Sequence, residues 1–432
     1  MRLSIIAGLC AVALAATACG AGEAGSDRAL AGQTVDVIGT WSGEEQVHFE
    51  KVLDAFSKKT GAQVRYTGAG DELPTVVQTR VSGGTPPSIA LVAQPGFAAQ
   101  LAKSGAIKPV GAEVEDAVTA NYAPIWKQLG SFDNRLYGVY FKVANKSTVW
   151  YNQKAFEAAS LPVEKPATWD KFLATSRALA DAGTPAVSIA GADGWTLTDW
   201  FENVYLRTAG PDNYDKLTRH EIPWTDETVR VALRELAKLF GDAKLVQGGS
   251  SGALQTEFAK SVTNVFDDPS QAAMVYEGDF VAGVISSSTK TVVGQDAGFF
   301  PFPSLNGSAP SVVTGGDMAV QFKDDAATTK LMQFLASPES GSVWAADGGY
   351  LSANKGIEPK AYPNEVTHEL AQQILDAGDN VRFDMSDLTP AAFGGTKGAG
   401  MWKALQDFLG DPTKIDETMQ GLESAAGKAY KP

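Results

Sequence analysis

Between residues 34 and 93 the chain alternates short apolar runs with amphipathic ones, and this alternation limits the fold more than any other feature. Thr34 to Thr40 sets Val35 and Val37 against polar neighbours, the period of two expected of a strand. Ser42-Gly43-Glu44-Glu45 then reads as a capping box. Phe49, Val52, Leu53 and Phe56 follow at the spacing of a buried helical stripe, which Lys58, Lys59 and Gly61 close. Ala62 to Tyr66 reads as a second strand, Glu72 to Val81 as a second helix, and Ser88 to Ala93 as a strand running into Gln94-Pro95-Gly96. A β-α-β-α-β order needs crossovers, and crossovers predict a parallel sheet covered by helices. Similar alternation recurs later. Thr168 is expected to cap a helix from Trp169 to Ala182, Pro185 to Ala190 is strand-like, and Thr198 and Thr225 are expected to cap two more helices. Past residue 320 helices dominate: Asp324 to Ala336, Pro338 to Asp347, Glu365 to Ala377, Met401 to Leu409 and one after Pro412. The expected class is α/β, with two sheet-centred lobes and a helical C-terminal third.

Length agrees with two domains, because 432 residues at 44% hydrophobic exceed what one compact core usually holds. A formal charge of -14 repels phosphate backbones, so nucleic acid is not an expected partner. His48, His220 and His368 lie far apart, and Cys10 and Cys19 sit together at the start, so neither metal nor cofactor is expected.

The first residues concern location. Met1 and Arg2 precede an apolar run from Leu3 to Ala16, the length of a secretory signal core and short for a bilayer span. Ala16-Thr17-Ala18-Cys19 resembles the lipobox of bacterial lipoproteins, with Ala16 where a branched aliphatic residue is usual; plain secretion after Ala18 is the alternative. Residues 1–18 are therefore expected to be a signal peptide, Cys19 a lipid anchor on the outer face of the cell membrane, and residues 19–32 a flexible tether. The mature chain would keep one cysteine and form no internal disulfide.

Several segments imitate catalytic motifs. Gly248-Gly249-Ser250-Ser251-Gly252 fits G-x-S-x-G but lies in the run QGGSSG, which reads as a flexible loop. Asp267-Asp268-Pro269, and Asp384 with Asp387, could serve a glycosidase, whose two carboxyls sit about 5 to 9.5 Å apart. The plainer reading of Asp267-Asp268-Pro269 is a helix N-terminus. Gly394-Gly395-Thr396-Lys397 lacks P-loop spacing.

More telling is the set Trp41, Trp150, Trp195, Trp200, Phe280, Trp344, Tyr350 and Trp402, lying among Glu44, Asp71, Lys142, Lys146, Asp199, Asp267 and Asp317, usually beside Gly or Pro. A sugar offers an apolar C–H face and a rim of hydroxyls, and so needs flat rings to stack on and charged or amide groups to bond the rim. Any single Trp is more often core than platform. The stretch LYGVYFKVANKSTVWYNQKAFEAASLPVEKPATWDKF, Leu136 to Phe172, resembles the core signature of the extracellular solute-binding proteins of carbohydrate ABC importers. PPSIALVAQPG, DGWTLTDWFENVYLRTAGPDNYDKLTRHEIPW, VFDDPSQAAMVYEGDF, GGDMAV, LASPESGSVWAADGGYLSANK and VRFDMSDLTPAAFGGTKGAGMWKAL follow the alpha-glucoside-binding branch, so that the resemblance spans nearly all of residues 33 to 425. Tyr140 replaces the usual Pro, the segment after Pro269 lacks a Cys and a second Pro, and Gly278-Asp279-Phe280 stands where many relatives have Gly and Trp.

The resemblance implies a two-lobe periplasmic-binding-protein-like fold of type II, each lobe a mainly parallel sheet flanked by helices, with ligand held in the cleft between lobes. It implies one lobe of about residues 33–143 and 298–348 and another of about 144–297 and 349–432. Trp41, Glu44, Asp71 and Gln94 would form one wall, Lys142 and Trp150 would flank the first crossing, and Trp195, Asp199 and Phe280 would close from the second lobe. Gly316 and Asp317 would contribute from the segment returning to the first. Structural roles compete at three of these: Glu44 as a helix-dipole partner, Asp199 as an extension of the Thr198 cap, and Lys142 as a surface hinge residue. The implied function is non-catalytic capture of a disaccharide or short oligosaccharide, an alpha-glucoside, by a monomer that delivers it to the permease subunits of an ABC importer. A secreted glycoside hydrolase and a binder of a non-sugar solute are the alternatives.

Overall fold

The structure, a computed structural model, describes residues 29–377 and 381–431. The expected signal peptide, Cys19 and the tether up to residue 28 lie outside the described residues. The last part of the expected tether is not free chain: Leu30 is buried in the main core and its N–H donates to the Thr60 carbonyl.

The described strands are β1 (Thr34–Gly39), β2 (Gln63–Gly68), β3 (Ile89–Val92), β4 (Ser131–Phe132), β5 (Arg135–Leu136), β6 (Gly138–Asn145), β7 (Thr148–Asn152), β8 (Val187–Ser188), β9 (Met274–Glu277), β10 (Ala297–Pro301), β11 (Val312–Gln321) and β12 (Val381–Phe383). The larger sheet has the order β12-β11-β3-β1-β2, with β6 also paired to β11. Here β1 runs parallel to β2 and β3, and the helices Gly43–Thr60 and Leu73–Ser82 make the crossovers, as the alternation predicts. Phe49, Val52, Leu53 and Phe56 all face the core.

The smaller sheet has the order β10-β7-β9-β8, and only β8 and β9 are parallel. A mainly parallel second sheet was expected, and the reason for the difference is the position of β7. Strands β9 and β10 run the same way and are joined through the helix Val281–Ser288, as a crossover requires, but β7 lies between them and is antiparallel to both.

The chain passes between sheets at residues 146–147, again at 302–311, and a third time after β12, where Met385 and Phe393 enter the other core cluster. Residues 298–301 therefore belong to the smaller sheet, where the first lobe was expected to take them. Tyr350, Leu351, Ile357 and Leu370 share a core cluster with β1 and β3, so part of the stretch 349–432 sits on the larger sheet. The helices Gly400–Gly410 and Ile415–Ala429 pack into the other cluster, with Trp195–Ala209 and Glu227–Phe240.

Local signals were read with mixed success. Thr168 caps the helix Trp169–Asp181 by accepting from the Lys171 N–H. Thr198 lies inside the helix Trp195–Ala209, and Asp226, not Thr225, caps Glu227–Phe240. Asp267 follows the helix Phe258–Phe266 and starts none, and Gly249–Ala253 is a short helix where a loop was expected. Among the described residues no helix is long and apolar enough to cross a membrane.

Candidate ligand cleft between the two sheets

Two register partners in the larger sheet, Lys142 of β6 and Asp317 of β11, form the middle of the first wall. The register shifts between Asp317 and Met318, an irregularity of the kind that re-aims a side chain at a site. Lys142 Nζ pairs with Glu45 in the first turn of the helix Gly43–Thr60 and lies 5.2 Å from the Trp344 ring and 5.6 Å from the Phe280 ring. Burial alone would lower the Lys142 pKa, but Glu45, Asp317 and Asp279 outweigh it and raise it. Asp317 accepts from Trp41 Nε1 at 3.3 Å and Thr40 Oγ1 at 3.4 Å, and burial pushes its pKa up to about 6. Trp41 itself is wedged edge-on against Phe49 and Trp344 at 4.9 and 4.8 Å, so it braces Asp317 and offers no free face. Gly316 contributes close approach: a β-carbon there would lie 2.8 Å from the Lys142 carbonyl oxygen.

Around this centre, Glu44 is exposed on the helix rim. Asp71, in the turn Gly70–Glu72, has its pKa raised to about 6 by burial and then by Asp193, which precedes the helix Trp195–Ala209. The two aspartates thus feel each other across the gap. Gln94 is buried, leans on Gly395, and leaves its Oε1 without a donor.

The opposite wall is aromatic. Trp195, Phe258 and Phe280 meet with ring centroids 5.3 to 6.0 Å apart, and all three are partly exposed. Trp195 opens its helix because Gly194 precedes it with φ 72, where a β-carbon would stand 2.8 Å from that of Trp402. The sequence reading missed Phe258. Its only signal, an apolar residue opening a helix, does not separate a wall from a core. Of the aromatic set singled out in the sequence, Trp200, Trp344 and Tyr350 are core residues, and so is Trp150. Trp150 is fully buried and its indole N–H donates to Thr148 Oγ1 at 3.0 Å and the Gly278 carbonyl at 3.1 Å, so it leaves the candidate wall.

Asp199 also departs from expectation, since it is fully buried one helical turn beyond Trp195. Lys146, at the first crossing, pairs with Asp199 at 3.2 Å and with Asp384, while its ammonium lies 5.5 Å from the Trp195 ring. Burial, then neighbouring carboxylates, pushes Asp199, Glu202, Glu277 and Asp387 well above the usual carboxylate range. Asp384 is held below that range despite burial, by Lys146 and by hydrogen bonds from Asp199, Lys146 and Ser386. Asp199 Oδ2 and both Glu277 carboxyl oxygens are buried without a hydrogen-bond partner, in keeping with the upward push on these two groups. Asp199, Glu202 and Asp384 place oxygens within 4.8 Å of one another, spacing that a metal ion could use. Most of those oxygens are already engaged: Glu202 accepts from Tyr214 and the N–H groups of Met385 and Ser386, and Lys146 supplies the positive charge.

Two sheet-centred lobes, with the Trp195, Phe258 and Phe280 rings packed together and Phe280 beside Lys142, place the chain in the two-lobed α/β class. Residues 41–342 match the family described as bacterial extracellular solute-binding protein, and the chain belongs to it. It is 33% identical over 395 residues to the osmoprotective compounds-binding protein GgtB of Synechocystis, covering 89% of this chain and 91% of that one. It is 32% identical over 403 residues to the alpha-glucosides-binding periplasmic protein AglE of Rhizobium meliloti, covering 90% and 86%. The solved structure of the bacterial solute receptor AcbH superposes with a TM-score of 0.80 at 22% identity over 92% of this chain and all of that one, which supports the fold.

Proposed function

We propose that this protein captures an α-linked disaccharide or short oligosaccharide between its lobes and delivers it, as a monomer, to the permease of an ABC importer. The observation that carries the reading is the Phe280 ring, packed with the partly exposed Trp195 and Phe258 rings and 5.6 Å from Lys142 of the Lys142 and Asp317 pair, since stacking suits a sugar face and the charged pair suits its hydroxyls. Asp71, Gln94 and the rim Glu44 complete the polar side, with Trp41 and Gly316 supporting it from behind. The name of one relative supports the reading, since AglE is named for binding alpha-glucosides, while GgtB is named for osmoprotective compounds. Hinge motion at the crossings opens and closes the gap, and contacts from both walls favour closure.

Calorimetry of the mature protein with maltose, trehalose and sucrose is expected to give a dissociation constant on the order of micromolar for one of them. Absence of heat with every sugar, alongside binding of a non-sugar solute, ends the carbohydrate reading. Release of monosaccharide from the bound sugar during incubation would instead make the protein a hydrolase. The location on the outer face of the membrane rests on Cys19. Cys19→Ala is expected to move the protein from the membrane fraction to the medium with sugar affinity unchanged, and a variant that stays membrane-bound refutes the anchor.

A further inference from the structure

A cavity of about 670 Å³ is lined by none of the cleft residues named above but by two of the segments that pass between the sheets, Ser147 on one and Pro310 and Ser311 on the other. Phe300 and Phe302 supply much of its apolar wall. Its volume is in the range of small-molecule sites. What distinguishes it is charge. In a chain with 50 acidic residues against 36 basic ones, no aspartate or glutamate among the described residues lines this cavity, while Arg207 and Lys165 both do.

Arg207 is 6% exposed, near the end of the helix Trp195–Ala209. Its Nη1 donates to the Asn203 carbonyl at 3.1 Å and to Asn203 Oδ1 at 2.9 Å, and its Nη2 donates to the Ser311 carbonyl at 2.8 Å. All these acceptors are neutral. The guanidinium carbon lies 4.9 Å from the Phe302 ring centroid, so an aromatic face forms one side of the cation. Burial lowers its pKa to about 10, the mark of a cation held without a counter-charge. A buried charge with only neutral partners is costly, and an anion entering the cavity would offset that cost.

We propose that this hinge-side cavity is a second ligand site, taking a small organic carboxylate with an apolar, aryl-sized body, its carboxylate toward Arg207 and Lys165 and its body against Phe300 and Phe302. A ligand there would touch two of the three crossings at once, segments that bend when the lobes move.

Sodium phenylacetate is the probe, with 2-phenylethanol as the uncharged analogue and inorganic phosphate as the anion without an apolar body. Calorimetry on the full mature chain is expected to show one saturable site for phenylacetate. Both controls should bind at least about tenfold more weakly, since each lacks either the charge-assisted hydrogen bonds or the apolar body. Arg207→Gln risks the fold, so two exposed positions on the cavity wall serve instead: Ala309→Trp to fill it and Lys165→Gln to remove one cation. Ala309→Trp is expected to abolish phenylacetate binding, and Lys165→Gln to weaken it several-fold, both with the wild-type circular dichroism spectrum and melting temperature. No saturable heat with phenylacetate overturns the proposal. So does phosphate or phenylethanol binding as tightly as phenylacetate, or wild-type affinity in Ala309→Trp.

Discussion

Lys142 and Lys146 are four residues apart in sequence, both are almost buried, and both are bound to carboxylates, yet their surroundings differ in kind. Lys142 pairs with Glu45, whose side chain is 39% exposed at the rim of the cleft, and its other neighbours belong to both walls. Lys146 pairs with Asp199 and Asp384, at 0% and 1% exposure, among buried carboxyls of which Asp199 and Glu277 are pushed well above the usual carboxylate range by burial. Around Lys142 one partner can return to water when the walls part. Around Lys146 none can, because Glu202 and Asp384 are fixed by backbone N–H groups of residues 385 to 387. The difference separates a group placed to meet ligand from a staple that ties the first crossing to the helix Trp195–Ala209 and to the segment after β12. It also explains why Asp199, though adjacent to the aromatic wall, is not a wall residue in this conformation.

The strongest test of that distinction is Lys146→Met. Removing the cation leaves the Asp384 carboxylate buried without its counter-charge, for which about 3 to 5 kcal/mol of stability is the usual loss. The loss is expected to shrink as the pH falls, since a protonated Asp384 needs no cation. Lys142→Met should cost less than half as much, because Glu45 can be solvated and Asp317 and Asp279, already raised to about 6 and about 7 by burial, take up a proton more readily than Asp384 does. Chemical denaturation of both variants at neutral pH checks this, and equal losses would erase the contrast.

Next in size is Trp195→Ala, which removes the partly exposed ring of the second wall. Sugar binding is expected to weaken by about 2 to 4 kcal/mol, the range of a central aromatic anchor, with the melting temperature of the sugar-free protein little changed. Asp199→Asn, by contrast, should act on stability and hardly at all on the preference among sugars, since the carboxyl is buried beneath the wall. Calorimetry and thermal melts on the two variants separate the effects. A Trp195→Ala protein that unfolds while keeping its residual affinity would make that ring a core residue and misplace the wall.

Much of this was legible in the sequence where local pattern decides the outcome. The stripe Phe49, Val52, Leu53 and Phe56 fixed a helix and its buried face, and the crossovers then fixed β1, β2 and β3 as parallel. Long-range pairing was not legible. Nothing local to residues 381–383 says that they join β11, or that β7 slips between β9 and β10, because strand partners chosen across hundreds of residues leave no periodic trace. The same limit governed the site. Trp150 and Trp195 look alike beside their polar neighbours, and only the tertiary fold shows that the first has its N–H satisfied inside the sheet while the second stands at an open helix start. Glu45 and Phe258 were missed for the converse reason, since a helix-first-turn acid and an apolar helix opener both have ordinary structural uses.

A smaller effect tests the gap itself. The Asp71 pKa is raised from 3.8 to about 6 by burial and by Asp193 from the opposite wall. The folded protein therefore holds a proton at Asp71 more tightly than the unfolded chain does. Its contribution favours folding fully below about pH 4 and is lost as the pH rises through about 6. Asp71→Asn should remove this dependence and raise neutral-pH stability by about 1 to 2 kcal/mol, allowing for solvent screening of a group that is not fully buried. Melting curves of wild type and variant from pH 4 to 7 test the sign. A wild-type melting temperature that rises relative to that of the variant through this window would mean that Asp71 gains a cationic partner instead of facing Asp193.

The smallest expected effect falls on the pair that defines the Lys142 side. Glu45→Gln keeps the shape and an oxygen for Lys142 but removes the charge. The Glu45 carboxylate is more than a third exposed, so water and salt already screen much of the attraction, and a loss of about 0.2 to 1 kcal/mol is expected. The loss should fade in high salt, because screening acts on exposed pairs and spares buried ones. Lys142 still has Asp317 and Asp279 after the change, so its ammonium remains charged and in place. Sugar affinity should consequently change less than in Trp195→Ala. Denaturation at low and high ionic strength reads the outcome directly. A loss as large as that of Lys146→Met, or one indifferent to salt, would show that Glu45 is held as rigidly as Asp384 and that the rim of the cleft is as fixed as its hinge.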